Sequence, residues 1–157
     1  MPSGERGGTT MGISAELRAG LAAAAPYLLS HHVPAERHRC YAPVVFGRRV
    51  RVCARCSGVY PGIAAGLLVP AIGPAALVDL RLVAVLPLPA LLDWAVTTFT
   101  PRRGTNGVRT LTGLLLGYGY GLGLTVLASG PALPVLLIGA VYAVVAGALV
   151  SRSETVA

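Results

Sequence analysis

The chain has 157 residues, of which 54% are hydrophobic and only 12% are charged, and its formal net charge is +7. A soluble domain usually carries about 25% charged residues, so this chain has too little polar side-chain surface for a soluble globule. The apolar content excludes a disordered chain, and three cysteines are too few for a disulfide scaffold of this length. The composition predicts an integral membrane protein with the lipid bilayer as its main partner. Because the basic residues lie in gaps between apolar runs, nucleic acid is not expected as a partner.

The first thirty residues contain one short apolar run. Residues 1–12 are predicted to form a disordered N-terminal tail, and residues 13–30 a short first helix. The uninterrupted apolar stretch Ala19–Leu29 is shorter than the about 20 residues of a full span, so this helix fits either a tilted span or an interfacial position. A cleaved signal peptide is disfavoured because the preceding segment is long and nearly neutral.

Residues 31–56 form an Arg-rich loop that contains all the cysteines of the chain. Cys53 and Cys56 make a C-x-x-C pair followed by Gly58, which is typical of a zinc knuckle, and Cys40 supplies a third thiol. Because Cys₃His is a common closed zinc set, we expect zinc as the cofactor, held by these thiolates and one histidine. The histidines within reach are His31, His32 and His38.

Three other interpretations of the cysteines remain open. A redox C-x-x-C would normally lie in a βαβ pattern, which is missing here. An iron–sulfur cluster usually needs four cysteines, and the thiols could simply be unliganded. The neighbouring arginines favour thiolates, and a cytoplasmic position favours free thiols over disulfides.

Four long apolar runs follow the cysteine loop. At about 1.5 Å per residue, each is long enough to cross the about 30 Å hydrocarbon core. Backbone groups in lipid must bond internally, so the runs should be helices. We therefore expect an all-α, polytopic transmembrane bundle of four to five helices with a cytoplasmic Cys/His knuckle loop, the bundle covering residues 57–150 and a tail covering 151–157. The runs, named segments B to E, are Ser57–Val78, Leu82–Phe99, Val108–Ser129 and Pro131–Val150.

The placement of arginine predicts the orientation of the helices. Arginines concentrate in the loop 31–56 and between segments C and D, and Arg152 follows segment E. The link between B and C has only Arg81, beside Asp79, and the link between D and E has none. The positive-inside rule then predicts a multi-pass plasma-membrane protein whose cysteine loop and C-terminus are cytoplasmic.

Prolines and small residues predict how the helices bend and pack. The pair Pro70 and Pro74 predicts a kink in segment B, and Pro87 with Pro89 predicts one in segment C. Small residues every four positions let helix backbones approach closely, which favours a tight intramolecular bundle, with homodimerisation as the alternative. These positions are Gly62 and Gly66 in B, Gly113, Gly117 and Gly121 in D, and Gly139, Ala143 and Gly147 in E.

Asp93 is the most informative polar residue, because it is the one formal charge well inside an apolar run. Such a carboxylate is costly in lipid and generally faces the bundle interior with a partner. Arg109, at the start of segment D on the same side of the membrane, is the expected partner, and Asn106 is expected to cap that helix. Arg102, Arg103 and Tyr60 are expected on the same membrane face, where an anionic ligand or lipid headgroup would suit them.

Two motifs resemble the domain-of-unknown-function 2085 family, small predicted membrane proteins of bacteria and archaea. The first is the stretch from Val52 through Cys53-Ala54-Arg55-Cys56 to Gly62. The second begins at Asp93 and continues with Arg103, Asn106, Arg109, Thr112 and Gly113. Together they cover roughly residues 28–121.

One position departs from the family pattern. The family's upstream Cys-His-Gln motif is replaced here by Ser30-His31-His32, so the family cysteine is missing. The resemblance implies that Cys40 replaces that cysteine and that His31 is the fourth ligand, ahead of His32 and His38. It implies architecture and site residues but no reaction.

The sequence therefore predicts a non-enzymatic membrane protein with a structural Cys₃His zinc site and an Arg-rich surface for an anionic ligand, lipid headgroup or partner. The alternative is a small transporter or membrane enzyme that uses Asp93 and the Cys/His site. No Ser/His/Asp set, phosphate loop or H-E-x-x-H helix occurs.

Overall fold

The computed structural model describes residues 15–21, 34–130 and 132–156. Residues 15–21 are helical, but the predicted tail 1–12 and most of the predicted first helix 13–30 lie outside the described residues. From Pro34 onward the elements are a 3₁₀ helix (Pro34–Arg39), β1 (Cys40–Tyr41), β2 (Val44–Val45), β3 (Arg48–Arg49), β4 (Val52–Cys53), α1 (Ala54–Ile72), a 3₁₀ turn (Ala75–Leu77), α2 (Leu80–Val85), α3 (Leu88–Phe99), α4 (Asn106–Ser129) and α5 (Ala132–Val156).

The four short strands form one interrupted hairpin that leads directly into α1. At its base β1 pairs antiparallel with β4, and nearer the tip β2 pairs antiparallel with β3. The tip is a two-residue turn in which Phe46 has φ +49° and Gly47 has φ +75°. Two successive positive φ values give a turn whose twist matches the flanking strands, so the hairpin closes tightly although a bulky residue holds one position. Phe46 is fully exposed there.

Four helical segments are long and apolar enough to cross a membrane, which confirms the predicted transmembrane bundle. They are Ala54–Ile72, Leu80–Phe99, Asn106–Ser129 and Ala132–Thr155. The second of these is built from α2 and α3 together. The chain is thus an all-α, polytopic membrane protein in its described part, apart from the small hairpin.

Prolines set two of the helix boundaries. Helix α1 continues through Pro61 and Pro70 and ends at Ile72, before Pro74, so segment B is shorter than predicted. In segment C the chain breaks at Leu86 and Pro87, between α2 and α3, as the prolines there predicted. Proline removes a helical N–H donor and its ring clashes with the preceding turn, which explains the break.

The tightest packing in the molecule joins α1 and α4, which run parallel. An added Cβ at Gly58, Gly62 or Gly66 would lie closer than 3.0 Å to backbone oxygens of α4. In return, an added Cβ at Gly113, Gly117 or Gly121 would lie equally close to backbone oxygens of α1. The two backbones therefore touch without side chains between them, a geometry that also allows Cα–H···O contacts.

Helix α5 packs more loosely than the others. An added Cβ at Gly139 or Gly147 would meet nothing within 4 Å, so this predicted small-residue face makes no close helix–helix contact in the described chain. Among the described residues, a polar contact holds α5 to the bundle: the Tyr142 hydroxyl donates to the carbonyl of Ala84, just before the α2–α3 break. The intramolecular packing predicted for segments B and D is confirmed, whereas the face of segment E stays open.

Candidate functional site at the hairpin face

The polar residues of the sequence motifs gather at one end of the bundle. This end, called the hairpin face, comprises the hairpin 40–53, the first turns of α1 and α4, the last turns of α3 and the loop 100–105. Because α1 and α4 are parallel, both place their N-termini here, where helix dipoles leave partial positive charge.

The three cysteines lie in one region, at the base of the hairpin and the start of α1. Cys40 lies opposite Cys53 in the β1–β4 pair, and Cys53 and Cys56 share a side-chain hydrogen bond. Cys40 is also within electrostatic range of Cys56. Cys53 is buried, with 3% of its surface exposed, whereas the other two thiols are partly accessible. The β1–β4 register thus places Cys40 across the strand pair from the first cysteine of the C-x-x-C motif.

The fourth position of the predicted zinc set is not filled by a described residue. His31 and His32 lie outside the described residues, and His38 is exposed on the 3₁₀ helix before β1. Among residues 15–21, 34–130 and 132–156, no group of three His, Cys, Asp or Glu side chains is arranged as a metal cage.

A hydrogen-bond chain fastens the hairpin to α4. The hydroxyl oxygens of Tyr41 and Thr110 are 2.9 Å apart, and Thr110 Oγ1 lies 2.9 Å from the carbonyl oxygen of Ala54, to which it donates. Ser57 Oγ donates to the same carbonyl at 2.7 Å. This places the thiols against the ends of two tightly packed helices.

Asp93 is paired with Arg55, not with Arg109 as predicted. The ion pair joins Arg55 Nη2 to Asp93 Oδ2, and only 8% of the Asp93 side chain is exposed. Arg55 lies inside the C-x-x-C motif, in the first turn of α1. From there its guanidinium reaches Asp93 on α3. The predicted pairing of Asp93 with Arg109 is wrong because the Arg109 guanidinium points to Arg103 and Asn106.

Arg109 is buried, with 5% of its surface exposed, and its described acceptors are neutral. Its Nη2 donates to the backbone carbonyl of Arg103 at 2.8 Å, and its Nη1 donates to Asn106 Oδ1 at 3.3 Å. The prediction that Asn106 caps α4 is wrong, because Asn106 is the first residue of the helix. The cap is Thr105, whose Oγ1 accepts from the backbone N–H of Val108.

Gly104 leaves room for Asp93 and Arg109 to approach each other. It has φ +49°, and an added Cβ would lie 3.3 Å from Arg109 Nη2 and 3.6 Å from Asp93 Oδ1. The same Cβ would lie 2.8 Å from Thr97 Cγ2. Glycine supplies both the left-handed backbone and the space that these side chains need.

The cluster carries excess positive charge. Arg109 lies within electrostatic range of Arg39, Arg55 and Asp93. Asp93 pairs with Arg55 and Glu36 pairs with Arg39 at 3.0 Å, which leaves the charge of Arg109 without a paired carboxylate among the described residues. The Nε atoms of Arg39 and Arg55 are buried and have no hydrogen-bond acceptor within the described chain. Buried charges require partners, and neutral oxygens of Arg103 and Asn106 serve that purpose for Arg109.

The remaining predicted site residues lie at the edge of this cluster. Tyr60 is 54% exposed on α1, Arg102 is exposed in the loop before α4, and Arg103 contributes its backbone carbonyl. Sequence reasoning missed the roles of Arg39, Arg55, Thr105 and Thr110. The available signal was that an intramembrane carboxylate needs a cation, and Arg55 begins a helix on the same face.

The comparisons with known proteins agree with the two sequence motifs. No curated protein and no solved structure matches the chain. A family model described as "Predicted membrane protein (DUF2085)" matches residues 37–122, which include the cysteines, Asp93, Arg109 and the helix interface of α1 with α4. The chain belongs to the DUF2085 family of predicted membrane proteins.

Proposed function

We propose that this membrane protein holds a structural zinc ion in its hairpin, on the cytoplasmic face of the plasma membrane, and binds an anionic ligand at the neighbouring arginines. The ligands are Cys40, Cys53 and Cys56 with one histidine, His31 before His32 and His38. The protein is not an enzyme in this proposal, since a fully ligated ion leaves no open position for a substrate.

The observation that carries the zinc proposal is the β1–β4 register. It sets Cys40 opposite Cys53, and the first turn of α1 returns Cys56 to Cys53. A tetrahedral zinc would have to draw these thiolates together, since each binds at about 2.3 Å from the ion. Bound zinc would join the base of the hairpin to α1 and so position Tyr41 against Thr110.

Zinc content tests this proposal directly. Protein purified in detergent should contain about one zinc per chain, the stoichiometry of a closed structural site. Cys53→Ser should lose the metal, because two thiolates hold zinc far more weakly than three. Ser57→Ala is the matched control, since it removes a neighbouring hydroxyl but no predicted ligand, and it should keep the metal. Histidine-to-alanine variants at 31, 32 and 38 then identify the fourth ligand.

A zinc-free wild-type protein that takes up no added zinc would contradict the proposal. Metal retained in Cys53→Ser would contradict the ligand assignment. Zinc lost equally from Ser57→Ala would mean that local unfolding, not ligation, explains the loss.

The proposed orientation is testable with a membrane-impermeant thiol reagent. Since Cys53 is buried, a better reporter is Phe46→Cys at the exposed tip of the hairpin. In intact cells this reporter should stay unlabelled, and permeabilised cells should label it. Ser129→Cys, at the end of α4, should already be labelled in intact cells, because α4 leads to the other face of the membrane. Labelling of the hairpin reporter in intact cells would reverse the topology.

A second function, transport or catalysis through Asp93, has one observation in its favour, a nearly buried carboxylate inside a candidate span. Its ion pair with Arg55 favours a structural role instead, because the carboxylate already has a fixed cationic partner. Stability and proton-coupled uptake, measured together on Asp93→Asn, separate these two functions.

A further inference from the structure

An apolar cleft lies beside the arginine cluster, within the bundle. A cavity of about 270 Å³ is lined by Arg55 at its polar end and otherwise by apolar or aromatic side chains, among them Ala90, Trp94, Leu116 and Ala146. It therefore joins a charged end on the hairpin face to a hydrocarbon-like interior.

This cavity continues into a larger one. A neighbouring cavity of about 630 Å³ shares Pro87, Leu116 and Tyr142 with the first and extends to Val135 near the start of α5. From Val135 to Val150 the lining follows α5 for about 22 Å at 1.5 Å per residue. Half of the hydrocarbon core is about 15 Å thick, so the cleft exceeds the length of one leaflet. We call both cavities together the α5 cleft.

The charges at the polar end specify the ligand. Arg55 uses Nη2 for Asp93, while its buried Nε has no acceptor among the described residues. Arg109 does not line the cavity, but it lies within electrostatic range of Arg55 and adds a buried positive charge whose acceptors among the described residues are neutral. The N-termini of α1 and α4 add partial positive charge on the same side. A phosphate oxygen is the acceptor that guanidinium groups and helix N-termini both favour.

We propose that the α5 cleft binds one anionic phospholipid, with its phosphate at Arg55, in the positive field of the nearby Arg109, and an acyl chain between α3, α4 and α5. The proposal rests on the anion-binding part of the proposed function and is independent of the zinc ion. It names the ligand class, and it assigns the headgroup to the partly buried Arg55, near the buried Arg109, instead of the exposed Arg102 and Arg103.

The shape of the cleft favours a lipid over a soluble anion. A free phosphate would use only the charged end and leave the apolar lining empty. An amphiphile satisfies both, because its acyl chain packs against the apolar lining by van der Waals contact while the headgroup keeps its charge-assisted contacts. Loose packing of α5 leaves the cleft open to exchange with the bilayer.

Lipid retention by the purified full-length protein tests the inference. Protein is exchanged into micelles containing equal phosphatidylglycerol and phosphatidylcholine with matched chains, and retained lipid is quantified by mass spectrometry. Wild type should retain the anionic lipid by at least about tenfold over the zwitterionic one, the effect of about 1.4 kcal/mol. Arg109→Gln should lower retention to a similar extent, whereas Arg102→Gln removes an exposed charge on the same face and should not.

The apolar half of the site has its own matched pair. Ala146→Leu fills the cavity and should lower retention of the anionic lipid, while Ala148→Leu adds the same volume on an exposed position of α5 and should have no effect. If Arg109→Gln does not fold, Arg109→Lys is measured instead. It should also lower retention of the anionic lipid, since lysine keeps the charge but lacks the planar guanidinium.

The outcomes separate the two proposals. Suppose that lipid retention depends on Arg109 but not on Ala146, and that inorganic phosphate abolishes it. This result would overturn the lipid cleft and leave the anion site in place. Equal retention of the two lipids by wild type overturns the cleft as well. If neither phosphate nor anionic lipid binds in an Arg109-dependent way, the anion-binding part of the proposed function fails too.

Discussion

Gly117→Ala should destabilise the protein by about 3 kcal/mol, the upper part of the range for overpacking. Its added Cβ would lie closer than 3.0 Å to the backbone oxygen of Val59 and within 3.0 Å of Ile63 N. Neither atom belongs to a flexible side chain, so α1 and α4 must separate along their length. The separation also breaks the reciprocal contacts at Gly62 and Gly113, which share the same backbone spacing.

The matched control is Gly147→Ala, the same change in the middle of α5. An added Cβ there meets nothing within 4 Å, so the variant should be neutral or more stable by about 0.5–1 kcal/mol, the usual gain of alanine over glycine in a helix. Unfolding in detergent, followed by loss of helical circular dichroism, measures both variants. Equal stabilities would contradict the glycine interface. A destabilised Gly147→Ala would instead point to a second copy packed on α5, the homodimer that the open small-residue face allows.

The glycine interface illustrates what sequence spacing can predict. Small residues every four positions in segments B and D indicate close helix packing, and the apolar runs with the family motif indicate a membrane protein. The same spacing in segment E gives an identical prediction, but no helix approaches Gly139 or Gly147 closely in the described chain. Spacing identifies a face that permits close approach; whether a partner helix occupies it depends on the arrangement of the whole bundle.

The polar site shows a different limit. Burial of Asp93 and Arg109 follows from the cost of charge in lipid, and the sequence predicts that both residues lie on one membrane face. The predicted pairing is wrong because several arginines begin helices on that face and the choice depends on side-chain direction. Arg55 is 38 residues from Asp93 in sequence, and only the parallel packing of α1 on α4 brings its guanidinium beside the end of α3.

The helix cap is mispredicted for a local reason. Both Thr105 and Asn106 are good cap residues, and residue type alone favours asparagine. The structure starts α4 at Asn106 because Thr105 has an extended backbone and its hydroxyl reaches Val108 N. Asn106 is thereby free to orient Arg109. Assignment of a cap by residue type alone therefore mislocates the start of the helix by one residue.

Asp93→Asn should be the most destabilising polar substitution in the described chain, costing about 3–5 kcal/mol, the range for breaking a buried ion pair by removing one partner. The carboxylate compensates Arg55 directly and lies in electrostatic range of Arg109. An amide leaves the partly buried guanidinium of Arg55 and the buried one of Arg109 without this negative charge. The control is Asp79→Asn, an exposed carboxylate that caps α2 by accepting from Arg81 N at 2.8 Å; asparagine caps equally well, so stability should change little.

The two partners of the ion pair should respond unequally, because Arg109 stays near Asp93 when Arg55 is removed. Arg55→Gln should therefore cost less than Asp93→Asn, and the double variant should recover part of the loss of the aspartate variant. Unfolding in detergent gives the three free energies, and proton-coupled uptake into vesicles is measured on the same preparations. A stable Asp93→Asn protein that has lost an uptake activity present in wild type would favour the transporter over the structural ion pair. Equal costs for the two single variants would mean that Arg109 gains no stabilisation from Asp93. Asp93 and Arg55 would then form an isolated ion pair.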